Sequence, residues 1–378
     1  MNLRAWVYLL GGVYLAMLAL AARASWRRHR TSDEFMFAGR SLGVRLGVLT
    51  YAAALFSAFT FQGMPDFFRL HGVGAWIFLA VSDGMMVLLI VAFGHAIRRR
   101  VRELGFEGVA GLMSSAYGSR GAGWAMFASS FIFLVPYVAI QIRGISIFLR
   151  SAFPDLLTPA QWAALIVLLM LAFSEIGGFR AIVFADAIQG LSLLLILWAI
   201  GLACVRAAGG WTPLWDGMLA ADPALGSVPG PKGLFTPQFL IASAIAIVMI
   251  PVTQPQLTTR LVVMKSTAAM HRMAVAVGAF AMLVIFPTAL VGALGAIRYA
   301  GVRTDQFLSG ALLHDRAPWL GALALVGLFA AGLSTTNAQL FALGAELRSM
   351  LRGSDRAVMA ATRAAILAFA IIVFGFSV

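Results

Sequence analysis

Apolar stretches long enough to cross a bilayer recur from one end of this chain to the other. They lie at roughly 5–23, 42–65, 74–97, 122–149, 160–176, 183–204, 236–256, 273–297, 320–343 and 359–378. A helix crosses the hydrocarbon core in about 20 residues, and the last stretch, at the chain end, is near that minimum. Only 11% of the 378 residues are charged and 61% are hydrophobic, too little charge for the surface of a soluble protein. The chain is therefore expected to be all-α, a polytopic membrane protein of about ten transmembrane helices forming a single domain over 1–378. Arg4 precedes the first apolar stretch and basic residues follow it, the reverse of a signal peptide's charge order, so that helix is read as retained.

The net charge of +13 raises the question of nucleic acid. Its distribution answers for a membrane instead. If loops alternate sides, 19 of the 28 basic residues fall on one side, among them Arg27, Arg28, Arg98, Arg99, Arg100, Arg102, Arg348 and Arg352, and 9 on the other. The positive-inside rule makes the first side cytoplasmic and places the N-terminus outside. Anionic lipid headgroups are then the partners of those arginines, and no nucleic acid is expected. The loops 98–121 and 344–357 are too short to fold alone. The Gly- and Pro-rich segment 205–235 reads as irregular structure on the outer face. Cys204 is the single cysteine, so no disulfide within the chain is possible.

Function is carried by polar residues inside the spans. In "AALFSAFTFQGMP" (53–65), Ser57, Thr60 and Gln62 precede Gly63 and Pro65, and the last two favour a broken helix whose freed carbonyls could bind a cation. An ordinary helix end is the alternative. Asp83 lies roughly 13 Å inside its span and needs water, a cation or a donor. Tyr137 and Gln141, four apart, share a helical face that either lines a cavity or glues helices together. Gly177 and Gly178 are expected to break two helices apart, with Asp186 a turn into the next span, where it serves either the helix dipole or an ion path. Finally, Ser334, Thr335, Thr336 and Asn337 form a polar knot in "FAAGLSTTNAQLFALGAEL" (329–347). His29, His71, His95, His271 and His314 all lie in loops or at span ends, none pairs with a carboxylate at metal-ligand spacing, and no phosphate loop is present, so an enzyme is not expected.

Five stretches together resemble the sodium:solute symporter family: "DEFMFAGRSLG" (33–43), "FSAFTFQGMPDFFRLHG" (56–72), "GGFRAIVFADAIQ" (177–189, with Ala185 where the family commonly has Thr), "QPQLTTRLVVMKS" (254–266) and "AAGLSTTNAQL" (330–340). The likeness covers nearly the whole chain in the right order. It implies a five-plus-five inverted-repeat transporter fold behind one extra N-terminal helix. The extra helix and its loop would be 1–41, the first repeat 42–204, and an incomplete second repeat 236–378. It also implies a Na+ ion as coupling ion, held by the backbone carbonyls of Ala53, Phe56 and Ala331 and the hydroxyls of Ser334 and Thr335. Hydroxyls bonded back to their own helix are the plainer reading of that pair. Candidate solute ligands are Ser57, Gln62, Asp83, Tyr137 and Gln141, with Asp186 an accessory on the ion path. No organic cofactor is implied.

Two departures stand out. Leu55 occupies a position where some members carry Asp, and the chain stops at "IIVFGFSV" where relatives continue through further helices. The missing C-terminal helices would belong to the complete protein or to a partner. The leading expectation is Na+-coupled symport of a small polar solute (an amino acid, vitamin, monocarboxylate or sugar) at the plasma membrane. The alternative is a symporter-like sensor unit of a signalling protein.

Overall fold

The computed structural model describes residues 1–26, 41–105 and 108–378, apart from the side chains of 22, 24–26, 173–178 and 355. The expected family loop at 33–43 therefore falls largely outside the described residues. Helices occupy all ten expected positions. They begin with α1 (Leu3–Trp26), the pair α2 (Val44–Leu55) and α3 (Ala58–His71), α4 (Gly74–Leu104), a short α5 (Val109–Ala116) and α6 (Arg120–Ala152). A helical stretch from Pro159 to Ala207 holds two apolar arms, α7 (Pro159–Ala172) and α8 (Phe179–Ala207). There follow α9 (Trp211–Ala221), α10 (Pro237–Val248), α11 (Pro255–Val262), α12 (Thr267–Arg298), α13 (Pro318–Met350) and α14 (Asp355–Ser377). The break expected at Gly177 and Gly178 is not present: the backbone stays helical from Pro159 through both glycines to Ala207, since a glycine pair weakens a helix without forcing it to end.

Three more expectations need correction. The segment 205–235 is not wholly irregular: it carries α9, whose Leu214 and Met218, four apart, are buried. The seventh span is not one helix. Pro251 and Pro255 lack the N–H that would continue the ladder, and the stretch divides into α10, the single turn Ile250–Thr253, and α11. The break in the second span is real but is not made by Gly63 and Pro65, which both sit inside α3. The helix stops instead at Phe56, whose dihedrals are extended (φ −84°, ψ 120°), and restarts after Ser57, whose hydroxyl accepts from the Phe59 N–H at 3.2 Å. Ser is a good N-cap because its oxygen satisfies an orphan donor of the first turn. Across this break α2 and α3 are bent by 63°. Thus the first helix of each expected repeat is discontinuous.

The helix ends sort into two faces, as alternating loops require. On the face where the chain begins, Arg4 pairs with Asp155 at 3.3 Å, Ser151 meets His314 at 3.0 Å, and Arg298 donates to the Ala207 carbonyl at 2.7 Å. Asp66 and Arg69, at the end of α3, form a buried pair there at 2.7 Å, and Arg69 also donates to the Tyr299 and Val302 carbonyls. On the opposite face, Arg98 donates to the carbonyls of Leu261, Val262 and Met264, where α11 ends, and Arg120 donates to the Met350 carbonyl, where α13 ends. The apolar core lies between these faces, with α13 the most enclosed span. Its small residues Ala330, Ala331 and Gly332 let α2, α3 and α6 approach closely: a Cβ on Gly332 would meet the Ile145 side chain at 2.3 Å.

Candidate ion and solute site

The break in the second span leaves the last carbonyls of α2 without helical donors. One of them, Ala53, points at α13. Ser334 Oγ lies 3.3 Å and Thr335 Oγ1 3.2 Å from the Ala53 carbonyl oxygen, and Thr335 Oγ1 is also 3.0 Å from the Ala331 carbonyl. All four residues are buried. A hydroxyl carries one proton. Ser334 has a nearer acceptor, Asp186 Oδ1 at 2.6 Å, so its proton belongs there. Ala53 is then approached by two hydroxyl oxygens and receives at most one proton, shared with Ala331. A cluster of oxygens short of protons, in a dry setting, is the electrostatic signature of a place for a cation.

Of the implied ion ligands, Ala53, Ala331, Ser334 and Thr335 come together. Phe56 stands at the break with its ring against Phe280, and no hydrogen bond joins its carbonyl to the hydroxyls. Thr336 turns away and bonds to the Gly332 and Leu333 carbonyls of its own helix. Asn337 Oδ1 is buried without a partner.

Asp186 is not a helix-start acid. It lies two turns into α8, fully buried, and takes three donors: Ser334 Oγ, Thr50 Oγ1 at 2.6 Å and Arg260 Nη2 at 2.6 Å. Arg260 is spent as well, since its Nε donates to Thr50 and its Nη1 to the Gln256 carbonyl at 2.9 Å. A buried ion pair holds only if its geometry is good and its remaining donors and acceptors are met, and here they are. Sequence reading missed Thr50 and Arg260 in this network. The signal was present, since an arginine flanked by Leu257, Leu261 and Val262 must find an anion.

The proposed solute residues divide. Tyr137 lies beside Ser57 and within range of the Asp83 charge, and Tyr51 is within range of the charges of Asp83 and Arg260. The Tyr51 hydroxyl is fully buried and unpartnered. Gln141 donates back to the Tyr137 carbonyl at 3.4 Å, leaving its Oε1 without a partner. Gln62 packs on Gly144 of α6, its Nε2 unpartnered. Ser57 and Tyr137 thus come together with Asp83 in electrostatic range; Gln141 reaches them only through its bond to the Tyr137 carbonyl, and among the described residues no hydrogen bond joins Gln62 to them. A separate cavity of about 580 Å³ is lined by Phe68, Trp76, Trp211, Trp215, Phe286 and Asp216, and none of the site residues borders it.

A sequence model of the sodium:solute symporter family matches residues 35–363. The chain belongs to that family. The chain is 25% identical over 311 residues to the sodium/pantothenate symporter of Escherichia coli (strain K12), covering 82% of this chain and 64% of that one. It is 24% identical over 312 residues to a monocarboxylate transport permease protein of Rhizobium johnstonii, covering 80% and 60%. It thus spans a little under two thirds of the length of these curated relatives. Its fold matches a Na+-coupled sialic acid symporter in a substrate-bound outward-open state, described with a novel Na+ site. The TM-score is 0.82 at 17% identity, over 99% of this chain and 80% of that one. The expected all-α, multi-pass transporter fold is therefore established.

Proposed function

We propose that this protein couples Na+ entry to the uptake of a small polar solute by alternating access. The observation that carries the reading is the convergence of Ser334 and Thr335 on the Ala53 carbonyl at the break between α2 and α3. Half-helix ends and unwound carbonyls near the midplane are how transporters of this kind hold a coupling ion. Na+ would take the carbonyls of Ala53, Phe56 and Ala331 and the hydroxyls of Ser334 and Thr335, with Asp186 beside Ser334 on the ion's route. The solute would meet Ser57, Asp83 and Tyr137 first, and Gln62 and Gln141 as the site closes.

The basic face, with Arg98, Arg100, Arg120, Arg348 and Arg352, would lie in the cytoplasm against anionic lipid, and Met1 outside, in a plasma membrane. The test is uptake into proteoliposomes under an imposed inward Na+ gradient, against amino acids, vitamins, monocarboxylates and sugars. Accumulation that collapses when the gradient is dissipated supports the reading. Solute entry indifferent to Na+ across the panel overturns it.

A further inference from the structure

We propose that the solute carried by this protein bears a protonated amine, bound by the Asp83 carboxylate; the inference rests on the symport reading above. Asp83 is 8% exposed, and among the described residues no hydrogen bond or ion pair engages its carboxylate. A carboxylate removed from water without a partner is costly, and such a group either takes up a proton or is held by a counter-charge, as the membrane-embedded acids of transport sites are. Among the described residues no side chain is paired with Asp83. The buried guanidinium of Arg260 is committed to Asp186, Thr50 and Gln256. Arg69 is committed to Asp66 and to two carbonyls. Two tyrosines, Tyr51 and Tyr137, lie within electrostatic range of Asp83, and Ser57 is next to Tyr137.

The backbone points the same way. A π-helical turn, Ile77–Val81, immediately precedes Ser82 and Asp83, and Ser82 Oγ bonds back to the Ile77 carbonyl at 3.3 Å. Such turns cost hydrogen-bond geometry and recur at functional sites. An ammonium group brings both the charge that Asp83 lacks and N–H donors for the Tyr51 oxygen, which has no partner of its own. A solute with only a carboxylate would place like charges together with no cation between them. The inference therefore departs from the acids for which the matched relatives are named.

Two measurements on the purified protein in nanodiscs decide it. One is binding of radiolabelled Na+. The other is equilibrium binding, in NaCl and in KCl, of ethanolamine, glycine and proline, of lactate and pantothenate, and of glucose. The expected result is Na+-dependent binding confined to ammonium-bearing probes. Asp83→Asn should weaken it about tenfold to a hundredfold, the range for a charged hydrogen bond, while Asp83→Glu, which keeps the charge, should retain most of it. If no ammonium-bearing probe shows Na+-dependent binding, or if Asp83→Asn and Asp83→Glu bind alike, the inference fails. Na+-dependent binding of lactate or pantothenate alone would sink it and leave the symport reading standing. Failure of Na+ itself to bind removes both.

Discussion

Removing one hydroxyl at a time from Ser334, Thr335 and Thr336 separates ion binding from helix packing, because the three have different partners. Thr335 Oγ1 faces the Ala53 and Ala331 carbonyls and nothing else. Thr335→Ala therefore deletes one ion ligand and leaves no charged group bare. Interactions with a charged partner are worth roughly 1.5–3 kcal/mol, so Na+ half-saturation should rise about tenfold to a hundredfold, with little change in thermal stability. Thr335→Ser keeps the oxygen and should be mild. Ser334→Ala removes a proposed ligand and also strips Asp186 Oδ1 of the one hydroxyl donor it has among the described residues. A buried acceptor left unmet costs about 1–3 kcal/mol, more when charged, so this variant should lose both affinity and stability. Thr336 bonds only within its helix, and Thr336→Ala should shift Na+ affinity less than about twofold. The assay is a radiolabelled Na+ titration of purified protein in nanodiscs, beside a thermal melt of each variant. If Thr335→Ala matches wild type, or Thr336→Ala shifts the titration as far, the polar knot is packing and the ion lies elsewhere.

Breaking the buried pair by Arg260→Met should destabilise the protein by about 3–5 kcal/mol; adding Asp186→Asn should return part of that loss, and strictly additive single and double variants would show that the contact carries no coupling. Single cysteines at Arg100 or Arg352 should resist impermeant maleimide applied outside intact cells, whereas cysteines at Thr212 or Lys232 should react, against a low background because Cys204 is buried; the opposite pattern reverses the orientation. Glu346, fully buried near the end of α13, accepts from the backbone N–H groups of Val109 (2.8 Å) and Ala110, so Glu346→Ala should speed amide hydrogen exchange at those two residues; unchanged protection would mean that α5 is held by other contacts.

Helices at all ten expected positions were legible in the sequence because the bilayer fixes both the length and the apolarity of a span, although among the described residues α7 and α10 are shorter than a full crossing. The hydroxyl pair in α13 was legible because lipid tolerates no idle polar side chain. What escaped was whatever depends on three-dimensional neighbours. Gly63 and Pro65 looked like the cause of the break, yet Pro65 is accommodated inside α3 and the break falls at Phe56 and Ser57, where the only local sign is a serine fit to cap. Pro251 and Pro255 were plain in the sequence, but the apolar run around them hid a divided helix. Asp186 near the start of its span suggested a dipole partner, because its actual partners, Thr50, Arg260 and Ser334, come from three other helices. The π turn before Asp83 has no signature in residue type.

The network around Asp186 joins α2 through Thr50, α8 through Asp186 itself, α11 through Arg260 and α13 through Ser334. Two of these helices, α2 and α11, belong to the broken spans, and two, α8 and α13, are continuous. The proposed ion site shares Ser334 with that network and takes Ala53 from α2, one turn from Thr50. The site therefore exists only while α2 lies against α13. A conformation in which α2 swings away withdraws the Ala53 carbonyl and leaves Ser334 and Thr335 with partners on α8 and on their own helix alone. A ligand shifts an equilibrium by its difference in affinity between states and by nothing else. Na+ bound at this site would accordingly favour the states in which α2 and α13 touch, and its departure would weaken the same contact that the Asp186–Arg260 pair reinforces. Ion occupancy and the contact between α2 and α13 would in this way be tied to one set of atoms, as the proposed coupling of one gradient to another solute requires.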